Sequence, residues 1–275
     1  MKTVLAVDLG GTKTATALVA EGGLIAQRRK QPAGRSLEAS VAQIAGACVE
    51  NVNAAGVVVP GIYDERTGNA WCPNLWGTNE VPLRDELLRK LNVPVCVDSD
   101  RAGYVLGESW MGVARGLENV VFVAIGTGIG AGILAGGLVV RGAHGIAGAV
   151  GWMTLEGEWR PEFAACGNWE HESAGPAVAR AYGAAQAEAV VEAARRGDER
   201  AAGILKRAAS VTGRGVANLI SVLNPEMVVL GGGLLEGAAE FMLETVRSEA
   251  MRWAQPISAR KCRIEMTQLG EDAAL

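Results

Sequence analysis

Acidic side chains and three glycine clusters are the parts of this sequence best suited to chemistry. Asp8 closes a short apolar run at residues 4–7 and opens Asp8-Leu9-Gly10-Gly11-Thr12-Lys13. Glycine lacks a Cβ, so an anion can approach the backbone there and meet N–H donors. An acid at a strand end can hold Mg²⁺ directly or through water. The same stretch also reads as a plain β-hairpin with a glycine turn. A Walker A loop is excluded, because it needs Gly-Lys-Ser/Thr leading into a helix, and residues 16–19 continue as a strand.

Gly126-Thr127-Gly128-Ile129-Gly130 is a second candidate phosphate clamp, again after an apolar run, residues 120–125. A dinucleotide fingerprint would open a helix, and Ala131-Gly132-Ile133-Leu134 holds too much glycine for that. Facing each other across a cleft, the two turns could hold both ends of a triphosphate. Gly231-Gly232-Gly233 follows the apolar run 227–230. Backbone without side chains would let adenine lie flat there; a glycine cap on a strand is the plainer reading. On the first reading a side chain at Gly128 or Gly232 obstructs nucleotide without unfolding the chain.

Asp98-Ser99-Asp100 ends another apolar run. A carboxylate at a strand end can take the proton of a substrate hydroxyl as phosphate arrives. Asp100 could equally cap the helix that follows, and spacing alone leaves Asp98 as an alternative base. Asn74, in Pro73-Asn74-Leu75-Trp76-Gly77, offers a donor and an acceptor from one amide, which suits sugar hydroxyls. It could also be an ordinary turn residue. Trp71 and Trp76 suit core filling better than sugar stacking.

These residues need elements to carry them. Strand, glycine turn and strand occur at 4–19 and again at 120–134, each followed by a Gly-Gly pair at 22–23 and 136–137. A pattern that recurs once per half suggests two similar lobes. Between them we expect a helix at 37–49, a strand at 55–59, a loop at 60–77, a helix at 83–91, a strand at 93–97 and a helix starting after Asp100. In the second half, 176–196 and 201–223 read as helices, the latter stopped by Asn224-Pro225. Strands mixed with helices in each half argue for α/β or α+β lobes. We place them at 1–104 and 105–275.

The chain has 275 residues, 49% hydrophobic, with a net charge of −4. No basic block points to nucleic acid or to an anionic membrane surface, and no run approaches a membrane span. Five scattered cysteines without CxxC spacing suit reduced thiols. The early acid at Asp8 argues against a signal peptide. A cytoplasmic protein is expected.

Together these stretches resemble the ROK family of bacterial sugar kinases and sugar-responsive proteins. The resemblance rests on Asp8-Leu9-Gly10-Gly11-Thr12-Lys13, Pro60-Gly61 with Asp64, Pro73-Asn74-Leu75, Ser99-Asp100 and Leu106-Gly107-Glu108. It continues through Gly126-Thr127-Gly128-Ile129-Gly130, Gly142-Ala143-His144-Gly145, Leu223-Asn224-Pro225 and Val229-Leu230-Gly231-Gly232-Gly233. It implies a two-lobed α/β fold of the actin-like ATPase and hexokinase type (ribonuclease H-like). It also implies ATP with Mg²⁺ in a cleft and phosphorylation of a hexose hydroxyl. Aligning Leu-Gly-Glu puts the family's catalytic aspartate on Asp100, its sugar asparagine on Asn74 and a sugar-binding glutamate on Glu170. A homodimer is expected.

The departures from the family cluster. Where it reads Ala-Gly-Glu-x-Gly-His, with Glu and His on the sugar, this chain has Ala147-Gly148-Ala149-Val150-Gly151-Trp152. The family's structural zinc takes that His and three cysteines. A closed zinc site needs four ligands, and residues 151–173 offer only Cys166 and His171. No zinc is expected, and Trp152, Trp159, Phe163 and Trp169 are expected to pack the loop instead. Residues 270–274 resemble the lead-in to the family's C-terminal helix.

The full set of phosphate turns, adenosine loop and base suits an active kinase. The missing Glu and His suit a binding protein without catalysis. A purely structural protein is disfavoured by the candidate base and asparagine. Family repressors carry an N-terminal helix-turn-helix, and this sequence starts at the first strand, so a repressor is not expected. Ala149 and Trp152 remove two polar groups from the sugar site and add an apolar ring. Glucose is therefore expected to be a poor acceptor.

Overall fold

The computed structural model describes residues 2–49 and 52–275. The chain forms two compact units. The first comprises Met1–Gly107, Arg141–Ile146 and Glu271–Leu275; the second comprises Glu108–Val140 and Ala147–Gly270.

In the first unit, β1 (Thr3–Leu9), β2 (Lys13–Ala20), β3 (Ile25–Pro32), β4 (Ala54–Val59) and a strand at Val95–Ser99 form one sheet. The hairpin β5 (Ile62–Asp64) and β6 (Asn69–Trp71) stands apart, so the strand at Val95–Ser99 is β7. The order is β3-β2-β1-β4-β7, antiparallel from β3 to β1 and parallel from β1 to β7. Alternation along β1 sends Leu5, Val7 and Leu9 into a core shared with Ile44, Leu83 and Leu87. β3 is an edge strand whose Arg28, Arg29 and Lys30 are exposed. Charge on an edge strand discourages pairing with other chains.

Helices α1 (Leu37–Ala47), α2 (Pro73–Trp76), α3 (Leu83–Leu91) and α4 (Asp100–Trp110) complete this part. Ser36 caps α1 by accepting the Ala39 N–H. α3 ends at Asn92 in the left-handed conformation, φ 52°.

In the second unit, β8 (Val120–Ile125), β9 (Ile129–Ala135), β10 (Leu138–Val139), β11 (Met227–Gly231) and β12 (Arg263–Met266) are ordered β10-β9-β8-β11-β12. The directions repeat those of the first sheet: antiparallel to β8, then parallel through β11 to β12. The repeated strand–turn–strand pattern thus corresponds to two sheets of one topology. Helices α5 (Asn168–Ser173), α6 (Gly175–Tyr182), α7 (Ala187–Arg195), α8 (Glu199–Leu223), α9 (Gly233–Gly237), α10 (Ala239–Trp253) and α11 (Pro256–Lys261) belong here. β8 and β11 are apolar along nearly their whole length, as strands covered on both faces must be. Among the described residues, no helix is long and apolar enough to cross a membrane.

The structure corrects several expected elements. Residues 176–196 are two helices, because Gly183 at φ 82° closes α6 and its N–H bonds back to Ala179 and Arg180. The loop at 60–77 contains the β5–β6 hairpin and α2. β7 runs two residues further than expected, so Asp98 and Ser99 are strand residues. Asp100 is the first residue of α4, and the side chain meeting the Ala102 N–H is Ser99 Oγ, at 3.3 Å. The capping role weighed for Asp100 therefore falls to Ser99.

Candidate active site

In the first unit the functional candidates converge at the strand ends of β1 and β7. Asp8 is the last residue but one of β1, and Gly10, Gly11 and Thr12 turn the chain into β2, which starts at Lys13. A Cβ on Gly10 would stand 2.7 Å from the Lys13 carbonyl oxygen, so the turn itself demands glycine there. Gly11 is different. The nearest atom to its would-be Cβ is the Asn74 Cβ, at an ordinary 3.7 Å. Nothing inside the chain requires Gly11 to be glycine, and it sits beside Asn74 on α2. Both Thr12 and Lys13 are exposed.

The two acids of β7 and α4 have separate environments. Asp98 Oδ2 accepts from Arg141 Nε at 3.0 Å and Nη2 at 2.6 Å. That guanidinium engages Asp98. Asp100 Oδ1 accepts the Arg101 N–H at 2.7 Å, and the Arg101 guanidinium is 4.0 Å away. Burial raises the Asp100 pKa above the usual carboxylate range, and Arg101 offsets this only in part. Asp8 is pushed up to about 7, first by burial, then by the charges of Asp100 and Glu271, with Lys30 opposing. A buried acid whose proton affinity is raised further by a neighbouring carboxylate invites either a proton or a cation.

In the second unit, Gly126, Thr127 and Gly128 turn β8 into β9. The Gly126 N–H donates to the Gly128 carbonyl at 3.0 Å, and the Gly175 N–H donates to the Gly126 carbonyl at 2.8 Å. Glu170 on α5 accepts the Ile129 N–H at 2.6 Å through Oε2. A Cβ on Gly128 would lie 2.8 Å from that same oxygen. Burial raises the Glu170 pKa and the Ile129 N–H lowers it.

The glycines after β11 divide in the same way. Gly232 has φ +94°, and its Cβ would meet the Ile125 backbone at 2.5 Å. Gly231 would strike the Phe122 ring at 2.6 Å. The chain itself needs both, so a substitution at Gly232 disturbs packing as well as any ligand. Gly233 has nothing within 4 Å, and the would-be Cβ of Gly126 has the Gly233 nitrogen nearest, at 3.6 Å. The turns after β8 and β11 therefore lie side by side. At Gly11, Gly126 and Gly233 an added Cβ would meet no contact closer than 3.6 Å, so packing within the chain does not require glycine there.

The model of the ROK family matches residues 4–275. This chain belongs to the ROK family.

Among its relatives is a glucokinase of Thermotoga maritima, 28% identical over 99% of this chain and 94% of the relative. The bifunctional enzyme NanE/NanK of Brucella suis is 33% identical over 99% of this chain, which spans 51% of that protein. A ROK family glucokinase from Streptomyces griseus, solved with glucose and AMPPNP, superposes with a TM-score of 0.82. Identity to it is 26%, covering 99% of this chain and 96% of that one.

In this ROK chain, residues 147–152 pack closely against β9. Gly148, φ +88°, lies so close to Ala131 that its Cβ position falls 1.8 Å from the Ala131 oxygen. Its own carbonyl accepts the Ala131 N–H at 2.8 Å. The 3₁₀ turn Val150–Trp152 follows, with Gly151 packed against Glu170. Trp152 is 55% exposed.

Packing of the following loop is narrower than expected. Trp169 and Phe163 are buried, whereas Trp152 and Trp159 are exposed. Asn168, buried, contributes a polar clasp that composition did not reveal. Its Oδ1 accepts the Leu155 N–H at 2.8 Å and its Nδ2 donates to the Glu156 carbonyl at 3.1 Å. Cys166 is half-buried, and His171 stands edge-on to Phe163 with ring centres 5.3 Å apart.

Two further residues stand out: Glu108, from the Leu106-Gly107-Glu108 run, and Arg35, which no motif contains. Glu108 is fully buried and accepts the N–H groups of Val113, Gln268 and Leu269 at 2.8–2.9 Å, along with the Thr267 hydroxyl. A carboxyl group that accepts from this many donors fixes the loop after β12. Arg35 Nη1 donates to the carbonyls of Gly11 and Asn74. Only motif membership could have marked Glu108, and no local signal marks Arg35.

Proposed function

We propose that this ROK protein transfers the γ-phosphate of ATP to a hydroxyl of a sugar, with Asp100 as general base. The contrast between Asp98 and Asp100 carries the assignment. Arg141 engages Asp98, while the half-buried Asp100 has its proton affinity raised by desolvation. A carboxylate with raised proton affinity accepts a proton more readily than an exposed aspartate.

The residues suit a nucleotide. Gly11, Gly126 and Gly233 leave backbone open where a phosphate or adenine needs close approach. The raised Asp8 carboxyl is a fitting oxygen donor for Mg²⁺. MgATP supplies the phosphoryl group and neutralises its developing charge. Asn74 orients the acceptor through its amide. Asp100 takes the proton from the attacking hydroxyl. Glu170 holds the glycine turn through the Ile129 N–H and is assigned a sugar hydroxyl as well. Zinc is not part of the proposal, since Asn168 already clasps residues 155–156.

Trp152 offers an exposed apolar face beside the element that carries Glu170. The acceptor is therefore a sugar less polar, or differently substituted, at the end away from the reacting hydroxyl. An apolar ring cannot pair with hydroxyls, and an unpaired buried hydroxyl costs about 1–3 kcal/mol.

The test is ATP turnover against glucose, mannose, fructose, N-acetylglucosamine, N-acetylmannosamine and 2-deoxyglucose. Wild type and Asp98→Asn should turn over at least one acceptor, and Asp100→Asn should lose about 10²–10⁴ in rate. An active Asp100→Asn with a dead Asp98→Asn reverses the assignment of the base. No stimulation by any sugar favours a binding protein without catalysis.

A further inference from the structure

Arg35 lies between β3 and α1, outside every motif that carries the family match. Its Nη1 donates to the Gly11 carbonyl at 3.1 Å and to the Asn74 carbonyl at 3.3 Å. One nitrogen thus joins the turn after β1 to helix α2. The backbone that presents Arg35 is held on both sides. The Ala33 N–H bonds to the Thr12 carbonyl at 3.0 Å. Gly34 is buried, donates to Gln43 Oε1 at 3.1 Å and accepts the Ser40 hydroxyl at 3.3 Å. Ser36 caps α1. A second bond approaches α2 from the same helix, as Trp76 Nε1 donates to Ser40 Oγ at 3.1 Å.

We propose that Arg35 is a positioning residue, which fixes Asn74 against the glycine turn so that acceptor and phosphate share one register. The proposal rests on the kinase reading given above. The physical reason is that α2 is a four-residue helix with no side-chain cap. Helices that short have little stability of their own. Asn74 keeps its place only through ties to other elements. Transfer requires the reacting atoms to be placed closely, and a misplacement of about 1 Å costs about 10²-fold. Arg35 is exposed, so its two bonds contribute little to global stability. Placement is what they contribute.

The experiment is a double-mutant cycle of Arg35→Met and Asn74→Ala, using MgATP and the best acceptor of the sugar panel. Arg35→Met is expected to lower kcat/KM for the sugar about 10²-fold, with a melting temperature close to wild type. Arg35→Lys should recover part of the loss. Because Arg35 acts through Asn74, the double variant should be no slower than Asn74→Ala alone. Wild-type kinetics for Arg35→Met, or full additivity in the double variant, overturns the proposal while leaving the kinase reading intact. A wild type inactive on every sugar overturns both. Should Arg35→Met not fold, the same cycle with Arg35→Lys is read by the same criteria.

Discussion

Replacing Asp8 by asparagine should stabilise the protein without ligand while removing activity. Asp8 has its pKa raised from an ordinary 3.8 to about 7, mainly by burial. The folded chain therefore holds this proton more tightly than the unfolded chain. Folding stability attached to Asp8 is highest below its unfolded value and declines as pH rises towards about 7. That interval, at about 1.4 kcal/mol per pH unit, corresponds to about 4 kcal/mol of stability lost above the folded pKa. Asparagine never ionises, but its amide must also be desolvated, at about 1–2 kcal/mol. The net gain expected for Asp8→Asn is about 2–3 kcal/mol near pH 8, and close to zero or below near pH 4. Urea unfolding at both pH values, without Mg²⁺ or nucleotide, measures it. A variant no more stable than wild type near pH 8, or one with an unchanged pH dependence, would refute the reasoning.

Other outcomes follow from the glycines, the loops and Glu108. Gly126→Ala should fold normally and weaken MgATP binding, whereas Gly232→Ala should lose stability because of its φ of +94° and the Ile125 backbone 2.5 Å away. Nucleotide titration and thermal melts on both variants separate the two cases. Metal analysis of protein purified without added zinc should find far less than one zinc per chain; a stoichiometric content would contradict the role given to Asn168. Glu108→Ala leaves four donors without their buried acceptor and should cost roughly 3–5 kcal/mol in urea unfolding, with Glu108→Gln milder.

What the sequence made legible was local. Apolar runs broken by Gly10-Gly11 and by Gly126-Thr127-Gly128 mark strands and turns within a dozen residues, and both sheets begin with them. α3 begins at Leu83 and ends at Leu91 as expected, because apolar spacing and Asn92 act within one helix. β3 was missed because an edge strand needs no buried alternation, and its charged residues look like loop. Gly183, inside the expected helix 176–196, ends α6 because its backbone is left-handed, a conformation that the apolar spacing does not report. The choice between Asp98 and Asp100 could not be settled from spacing. It depends on Arg141, whose distance along the chain hides the ion pair. Arg35 and Asn168 were invisible for the same reason. Their partners are backbone atoms, which carry no residue-type signal.

The first unit draws residues from three separate stretches, and the last of them is Glu271–Leu275. Arg28 pairs with Asp272, and Lys30 with Glu271, while Gly103 and Gly107 on α4 give Ala274 and Ala273 room to pack. A polypeptide emerging from the ribosome therefore cannot finish this unit when Gly107 appears. The β3 cations wait for partners made more than two hundred residues later. The second unit can assemble first, from a stretch interrupted only by Arg141–Ile146. Biosynthesis of this chain runs from N- to C-terminus, but its N-terminal unit is the one completed last.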